Sequence, residues 1–272
     1  MKILLSTTFR SFDKPLERVN QLNFLNSINN HSNQIDLCVT QFGEKNVKKY
    51  INNNFNGKII YQNINNNKFK WSHSEVFKFA LKKFLLSKYD YIAWCSSDII
   101  IDKKCFYELK NKNSRSMFTF FPNISNRKKN LVEFGLDIFF FKINKFEAKK
   151  MLKILSKFPN YDWGMFEHYL FSFSEILKLN RINLRTKCKI YKNENLKVKN
   201  RNIINIESWK KNKNILEKML IKNKISLLYA NGSMYFLAFK LLNIKNLNSE
   251  LIIIYLKLSL KFLLRIINGK SY

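Results

Sequence analysis

Three polar residues follow directly on a strongly apolar stretch in the first half of the chain. Tyr91–Cys95 carries no charge, and Ser96, Ser97 and Asp98 come immediately after it. Such a run is typical of a central strand that is covered on both faces, and ligands of open α/β sheets bind beyond the carboxyl ends of the strands. A carboxylate at that place can hold a divalent cation that neutralises a phosphate. The alternative is that Asp98 caps the next helix or ends the strand in a turn.

A second group of polar residues ends the strand that is predicted at Lys2–Thr8. Thr7 and Thr8 are its last residues, and Arg10 follows closely. The carboxyl ends of neighbouring parallel strands lie at the same edge of a sheet. We therefore expect this end to face Ser96–Asp98 across the place where a nucleotide would bind.

Further residues with catalytic potential come later in the chain. Asp137 stands inside the apolar strand predicted at Phe134–Lys142, where a carboxylate is costly unless it is paired or belongs to a site. Asp162, Glu167 and His168 follow within a short segment that is rich in aromatic residues. Asp162 suits the N-cap of a helix. Two interpretations of Glu167 remain: a general base beside an acceptor pocket, or a solvent-facing residue of a capped helix. For His168 we favour a place on the helix surface.

The elements that must position these residues alternate between strands and helices. Predicted strands cover Lys2–Thr8, Ile35–Phe42, Lys58–Gln62, Tyr91–Cys95, Met117–Phe121 and Phe134–Lys142, and predicted helices cover Leu16–Ile28, Glu44–Asn53, Ser74–Leu86, Asp102–Asn111 and Lys145–Lys157. The expected core positions of the first helix are Leu16, Val19, Leu22 and Phe24 or Leu25. The alternation predicts an α/β fold with a mostly parallel, Rossmann-like sheet that has helices on both faces.

The composition limits the classes of protein that remain. A chain of 272 residues, 46% of them hydrophobic, can bury one good core. It has only 6 glycines and neither a GxGxxG nor a GxxxxGK(S/T) motif, which argues against dinucleotide-binding and P-loop enzymes. The 4 cysteines form no CxxC pair, which argues against a zinc site and predicts reduced thiols in a cytosolic protein.

The formal net charge of +30 favours anionic partners such as nucleic acid, an anionic membrane surface or a phosphorylated substrate. The alternative is a compositional bias, since Lys, Asn and Ile are abundant along the whole chain. Residues 1–205 carry 37 Lys/Arg and 16 Asp/Glu, net +21, and residues 206–272 carry 12 and 3, net +9. A nucleic-acid-binding protein is the less favoured class, because the sequence has no RNA-binding aromatic motif, no Cys/His finger and no localised basic face.

The last segment of the chain combines apolar residues with a row of cations. Leu251–Ile267 is apolar except for Tyr255, Ser259 and three cations at four-residue spacing, which are Lys257, Lys261 and Arg265. Three cations are too many for a helix that spans a membrane, whereas a basic stripe on an apolar helix suits a membrane interface. The alternative is a terminal helix that docks on the rest of the protein with its cations in water.

Taken in order, these segments resemble the nucleotide-sugar glycosyltransferases of the GT-A fold, in particular the bacterial family-two-like enzymes. The resembling segments are Lys2–Arg10, Ser74–Leu86 followed by Tyr89–Ile101, Phe134–Lys142 and Asp162–Tyr169. The resemblance implies a GT-A-like catalytic domain over residues 1–205 and leaves residues 206–272 as a helical C-terminal region. The sequence departs from the family in one place, because the usual Asp-x-Asp motif is Ser-Ser-Asp here.

The resemblance also implies a role for each candidate residue. Asp98 corresponds to the ligand of Mn²⁺ or Mg²⁺ on the donor diphosphate, and a serine at position 96 fills only part of the role of the missing carboxylate. Glu167, or else Asp162, would deprotonate the acceptor hydroxyl. Donor contacts are implied for Thr7, Thr8, Arg10, Lys70, Ser72, His73, Ser96 and Ser97, and acceptor contacts for Asp137 and Trp163.

The implied activity is the inverting transfer of a sugar from a nucleotide-diphosphate sugar to a glycan or lipid-linked acceptor in cell-surface polysaccharide synthesis. Together with the C-terminal region, it predicts a peripheral location on the inner face of the cytoplasmic membrane. The alternative is a non-catalytic, membrane-associated scaffold with the same fold, which the missing first Asp of the motif supports.

Overall fold

The computed structural model describes residues 1–10, 12, 15–43, 46–64, 72–112, 114–119, 123–125, 137–158, 165–184, 190–193 and 206–231, together with the single positions 256, 260 and 264. The strands in these ranges are β1 (Ile3–Thr7), β2 (Ile35–Gln41), β3 (Ile59–Asn63), β4 (Tyr91–Cys95), β5 (Ile99–Ile101), β6 (Ser116–Thr119), β7 (Asn123–Ser125), β8 (Ile138–Lys142), β9 (Asn180–Asn183) and β10 (Ile190–Asn193).

Seven of these strands form a central mixed sheet in the order β3-β2-β1-β4-β8-β6-β9. β3, β2, β1 and β4 run parallel to one another, and β6 and β9 are also parallel. β8 lies antiparallel between β4 and β6. This arrangement confirms the predicted α/β fold with a mostly parallel sheet.

A second sheet of three strands, in the order β5-β10-β7, was not predicted. β5 pairs antiparallel with β10, so that Ile101 lies opposite Ile190, and β10 pairs parallel with β7. Ser96–Asp98 is therefore a link of only three residues between β4 in the large sheet and β5 in the small one. Because both neighbouring strands are paired, this link is held at both ends.

Helices cover both faces of the large sheet. They are α1 (Pro15–Asn29), α2 (Val47–Asn54), α3 (His73–Leu86), α4 (Lys103–Lys110), α5 (Lys145–Leu155), α6 (Phe166–Ile176), α7 (Ile206–Lys222) and α8 (Leu228–Asn231). Side-chain caps set several helix starts, since Asp102 accepts a hydrogen bond from the amide of Lys104 at 2.9 Å and Asn144 forms a capping box with Glu147.

Two hydrophobic cores lie on opposite faces of the sheet, because side chains alternate along each strand. Leu4, Trp94 and Phe141 belong to the core that includes residues of α3, α5 and α6. Leu5 and Phe140 belong to the core that includes residues of α1, α2 and α4. Strands that are buried on both faces need nearly continuous apolar sequence, which explains why the run at β4 was predicted correctly.

One predicted core position on α1 is wrong. Val19 is 50% exposed, whereas the polar residues Asn20 and Gln21 are buried together with Phe24 and Leu25. Gln21 is buried because the helix presents it to the loop that follows β1, where it binds the backbone of Arg10.

The described helices α7 and α8 of the C-terminal region pack on the core that contains α5 and α6. Leu216 and Leu220 of α7 and Tyr229 and Ala230 of α8 are buried members of that core. Across the described part of the chain, none of the helices combines the length and the apolar character that crossing a bilayer requires. The division of the chain at residues 205 and 206 stays a prediction.

Candidate active site

The carboxyl ends of β1 and β4 lie side by side. The two strands are parallel neighbours, with Ser6 opposite Trp94. The Thr7 hydroxyl donates a hydrogen bond of 2.7 Å to the carbonyl of Cys95. Thr7 is fully buried, so in this structure its side chain ties the two strand ends together.

Two buried glutamines hold the loop that follows β1. Gln41, at the end of β2, accepts a hydrogen bond from the amide of Phe9 at 3.1 Å and donates to the Phe9 carbonyl. Gln21, on α1, accepts from the amide of Arg10 at 2.5 Å and donates to the Arg10 carbonyl at 3.2 Å. Each side-chain amide thereby pairs with one backbone residue as a neighbouring strand would. The loop from Thr8 to Arg10 is fixed without glycine.

Gln21 also reaches the link between β4 and β5. The Ser97 hydroxyl donates to Gln21 Oε1 at 3.4 Å, so one side chain connects the predicted donor residues Arg10 and Ser97. Neither glutamine was among the predicted site residues. Gln41 ends a strand at the edge where the site was expected, which is a signal that could have identified it, whereas Gln21 has the sequence context of a surface residue.

Two carboxylates converge on the end of β4. The Ser96 amide donates to the backbone carbonyl of Asp137 at 2.9 Å, which aligns Asp137 with the start of the Ser96–Asp98 link. Burial raises the pKa of the Cys95 thiol well above its usual value, and the charges of Asp98 and Asp137 raise it further. Both carboxylates therefore act on the same thiol. Asp137 is only 7% exposed, and Asp98 is partly buried.

His73, the first residue of α3, lies against aromatic rings at the same edge. Its ring stacks on Phe166 with the centroids 5.4 Å apart and meets Trp94 edge-on at 5.6 Å. Burial lowers the pKa of His73 to about 4, with the Asp137 charge opposing this shift and the Arg10 charge adding to it. At neutral pH the imidazole is therefore uncharged. The structure brings Arg10, His73 and Asp137 close enough for their charges to interact.

Helix α6 begins next to this group. The helix begins at Phe166, whose ring also packs on Trp94 at 5.1 Å, and Glu167 is the next residue in the first turn. The prediction that Asp162 caps this helix is wrong, because the N-cap position belongs to Met165.

The prediction that His168 lies on the helix surface is wrong. His168 is buried, and its Nδ1 lies 2.8 Å from the carbonyl oxygen of Tyr229. A carbonyl can only accept, so the neutral imidazole carries its proton on Nδ1. Burial lowers the pKa of His168, and the nearby Lys213 charge lowers it further against the effect of this hydrogen bond. The prediction failed because α8, which covers His168, lies about 60 residues further along the chain.

Of the remaining predicted site residues, Ser72 and Thr8 are described by the structure and three others are not. Ser72 is fully buried and caps α3, since its hydroxyl accepts from the amide of Glu75 at 3.3 Å. The Thr8 hydroxyl lies 3.5 Å from Gln41 Oε1. Lys70, Asp162 and Trp163 lie outside the described residues.

The arrangement suits a ligand that carries a diphosphate. Within the described ranges, His, Cys, Asp and Glu side chains form no group of three or more that could hold a metal ion unaided. Magnesium, however, is commonly bound by one or two carboxylates together with substrate phosphates and water. Asp98 and Asp137, which converge beside Cys95, fit that mode of binding. Arg10 adds a cation at the same edge.

Comparison with solved structures identifies the fold. The chain superposes on TarS from S. aureus in complex with UDP-GlcNAc with a TM-score of 0.55 and 11% identity, covering 89% of this chain and 72% of that one. It superposes on the mannosyltransferase PcManGT from Pyrobaculum calidifontis in complex with GDP-Man and Mn²⁺ with a TM-score of 0.53 and 8% identity, covering 87% and 72%. The molecule has the GT-A-like fold of nucleotide-sugar glycosyltransferases over most of its length.

Sequence comparison adds no closer relationship. No protein-family model matches the chain, and no curated protein matches it in sequence. Since one fold hosts many activities, the similarity of structure at this low identity defines the fold and not the reaction.

Proposed function

We propose that this protein is a glycosyltransferase that moves a sugar from a nucleotide-diphosphate sugar to a hydroxyl acceptor. The observation that carries the proposal is the position of Asp137 and the Ser96–Asp98 link at the carboxyl edge of a GT-A-like sheet, where Gln21 connects this link to Arg10 and His73 packs on the first turn of α6. TarS and PcManGT were solved with UDP-GlcNAc and GDP-Man, and their similarity in fold supports a nucleotide-sugar donor here.

In the proposed complex, the donor diphosphate lies beyond the ends of β1 and β4. Arg10 pairs with its charge, and the loop geometry that Gln21 and Gln41 impose keeps Arg10 in place. Asp98 and Asp137 would hold Mn²⁺ or Mg²⁺, which, when bound, neutralises negative charge on the diphosphate as it leaves. His73 is neutral, so it contributes a hydrogen bond and not charge.

Glu167 acts as the general base in this proposal. The acceptor oxygen forms a bond to the anomeric carbon while the bond from that carbon to the diphosphate oxygen breaks. The hydroxyl proton passes to the Glu167 carboxylate, and the electron pair of the broken bond leaves with the nucleoside diphosphate. A single displacement of this kind inverts the anomeric configuration. Asp162 and Trp163 remain proposed as the alternative base and as an acceptor contact.

We further propose that the acceptor is a glycan or a lipid-linked sugar of cell-surface polysaccharide synthesis, used at the inner face of the cytoplasmic membrane. Leu256, Leu260 and Leu264 are helical and 48–60% exposed, and each precedes a cation in the sequence. An exposed apolar row beside a basic row supports a helix in the membrane interface.

Serine at Leu256, Leu260 and Leu264 should move the full-length protein from the membrane fraction to the supernatant. An unchanged distribution would contradict this role.

The decisive experiment is a thermal-shift series with UDP, GDP, CDP and CMP, with and without Mn²⁺, on the wild type and on Asp98→Ala. A nucleotide at about 100 times its dissociation constant stabilises the folded state by about 2.7 kcal/mol. A shift with one diphosphate that needs both Mn²⁺ and Asp98 would support the complete site and identify the base. A shift that is independent of metal would remove the cation from the mechanism, and the lack of any shift would overturn the donor site.

A second candidate function is a non-catalytic scaffold with the same fold. The observation that favours it is Ser96, which stands where the Asp-x-Asp motif has its first carboxylate. Alanine at Asp98 or Glu167 separates the two functions. Loss of sugar transfer in a folded variant supports the enzyme, whereas an unchanged phenotype in cells supports the scaffold.

A further inference from the structure

Exposed apolar side chains are concentrated in the C-terminal part of the molecule. Ten large hydrophobic residues are exposed among the described residues, and six of them follow residue 206: Ile221, Leu227, Leu228, Leu256, Leu260 and Leu264. Ile221, Leu227 and Leu228 are 62%, 40% and 46% exposed and lie at the junction of α7 and α8. We call these three residues and the exposed lysines around them, Lys218, Lys222 and Lys224, the α7–α8 corner.

The apolar side chains of the corner do not belong to the hydrophobic core. Leu220, Tyr229 and Ala230, the buried neighbours in sequence, already fill the side that faces the body of the protein. Ile221 and Leu228 therefore occupy the outer side of the same segment. Their exposure is a property of the packed structure.

The backbone at the end of α7 holds the corner in a fixed shape. The amide of Ile225 donates to the carbonyl of Leu220 at 2.9 Å, and the amide of Lys224 donates to that of Ile221 at 3.0 Å. Lys224 has a φ of 55°, a left-handed conformation that favours glycine at helix ends. A lysine at this position keeps a cation where a glycine would relieve backbone strain.

The charge around the corner is mainly positive, and Glu217, one turn before Ile221 on α7, is the acidic residue nearest to it in sequence. Lys218, Lys222 and Lys224 surround the apolar residues, and the sequence has no acidic residue between Glu217 and Glu250. Lysines beside exposed aliphatic side chains match the boundary between anionic headgroups and acyl chains, where each cation gains electrostatic attraction and each apolar side chain is removed from water. A protein partner would need a matching acidic and apolar surface, and a second copy of this chain repels the corner through its own positive charge.

We propose that the α7–α8 corner is a docking surface for anionic lipid bilayers. It is separate from the row at Leu256, Leu260 and Leu264, and it does not depend on sugar transfer. The corner is tied to the candidate active site, because the carbonyl of Tyr229 binds His168, the residue after Glu167. If the proposed function holds, docking here keeps α6 near the bilayer and favours an acceptor that is anchored in lipid.

Tyr229, which follows the corner, makes polar as well as apolar contacts with α6. The Tyr229 hydroxyl contacts the Glu175 carboxylate and accepts from Arg181 at 2.7 Å, and Glu175 also pairs with Arg181. Burial and the hydrogen bond to Glu175 raise the pKa of Tyr229 to about 12, so the hydroxyl stays protonated and donates to Glu175. Tyr229 therefore contacts α6 near both of its ends.

Sedimentation of the full-length protein with lipid vesicles tests the docking surface. Vesicles of phosphatidylcholine alone are compared with an equal mixture of phosphatidylcholine and phosphatidylglycerol. We expect the wild type to bind the mixed vesicles only. Glutamine at Lys218, Lys222 and Lys224 should lower the partition coefficient about 100-fold, because each of the three cations contributes attraction to the anionic surface. Serine at Leu227 and Leu228 should also lower it, with less dependence on salt.

Matched control variants distinguish binding through the corner from attraction by the overall positive charge of the protein. Glutamine at Lys103, Lys104 and Lys110 removes three exposed cations from α4, and serine at Leu86 and Phe146 removes two exposed apolar side chains from α3 and α5. These variants should bind mixed vesicles within a few-fold of the wild type. All substitutions are at exposed positions, so circular dichroism and melting temperature should not change.

Three results would overturn the proposal. The first is an equal loss of binding in the α4 variant and the corner variant, which would mean that the overall charge alone attracts the protein to lipid. The second is vesicle binding that the corner substitutions leave unchanged. The third is a dimer in light scattering that the corner substitutions abolish while no variant binds vesicles, which would make the corner an interface between copies. Nucleotide-induced thermal shifts are measured on the same variants, so that failure of the donor site and failure of the docking surface are distinguished.

Discussion

At the scale of single residues, the loop after β1 depends on the side-chain amide of Gln21. This amide satisfies both backbone groups of Arg10 and also receives the Ser97 hydroxyl. We predict that Gln21→Met lowers the free energy of unfolding by about 1–3 kcal/mol, because the Arg10 backbone loses its partners in a buried place. The same variant should bind the nucleotide more weakly, because Arg10 is no longer held. Urea denaturation and nucleotide titration measure the two effects.

Gln62→Met is the matched control for this prediction. Gln62 is partly exposed on the edge strand β3. The control should change stability by no more than a few tenths of a kcal/mol. If Gln21→Met binds nucleotide as the wild type does, the loop is not the donor contact that we propose.

Ser96 decides how far the site relies on a metal. The Ser96 amide is bonded to the Asp137 carbonyl, so a carboxylate at position 96 would come close to Asp98 and Asp137. We predict that Ser96→Asp lowers the melting temperature of the metal-free protein through like-charge repulsion and enlarges the thermal shift on adding Mn²⁺. Ser96→Asn has a similar shape without the charge, and it should do neither. Equal metal shifts in both variants would argue against a cation at this place.

At the scale of elements, α6 joins the proposed chemistry to the C-terminal region. Its first turn carries Glu167 and also Phe166, whose ring packs on His73 and Trp94, and its last turn carries Glu175, which binds Tyr229 and Arg181. The two carboxylates of one helix therefore have different surroundings. Substituting each in turn tests whether the first turn serves the reaction and the last turn serves stability.

We predict that Glu167→Gln lowers the rate of nucleotide release from the donor by about 10²–10⁴-fold, the usual contribution of a general base. Its melting temperature and its nucleotide-induced shift should remain those of the wild type. Glu175→Gln is the control on the same helix, and it should lower the melting temperature and change the rate much less. A Glu167→Gln variant with the wild-type rate would remove this residue from the mechanism.

At the scale of the whole molecule, burial of the histidines makes stability depend on pH. All 3 histidines of the chain, His31, His73 and His168, have a pKa that burial lowers. In the unfolded chain each pKa returns to about 6.5. The unfolded state therefore binds more protons below that pH, and stability is lost as pH falls through 6.5 toward the lower folded pKa, about 4 for His73.

We predict that His168→Asn removes part of this loss. Asparagine can keep an N–H that donates to the Tyr229 carbonyl, but it does not titrate. Between about pH 7 and pH 5 the wild type should lose stability faster than the variant, by at most about 1.4 kcal/mol per pH unit for one proton. Urea denaturation over this range measures the difference. Parallel curves would mean that His168 takes up its proton in the folded state as easily as in the unfolded one.

Local sequence was sufficient for the elements that carry the site. The uncharged run at β4 predicted a strand buried on both faces, and the alternation of strands and helices predicted the parallel sheet, so that the meeting of Thr7 with the end of β4 followed from the residues alone. Asp137 was singled out because a carboxylate in an apolar strand is costly, although it lies directly before β8 and not inside it as predicted. These inferences rest on periodicity and charge within a few residues.

The remaining features were decided by segments that are far apart in sequence. Gln21 is buried because a loop from another strand lies over it, His168 because α8 covers it, and Ser96–Asp98 is held because β5 pairs with β10 some 90 residues later. The same polar side chain is exposed or buried according to what packs against it, and the period of its own helix or strand does not contain that information. Sequence alone therefore determined the fold and the edge where the site lies, and only the tertiary structure decided which polar residues hold the site in place.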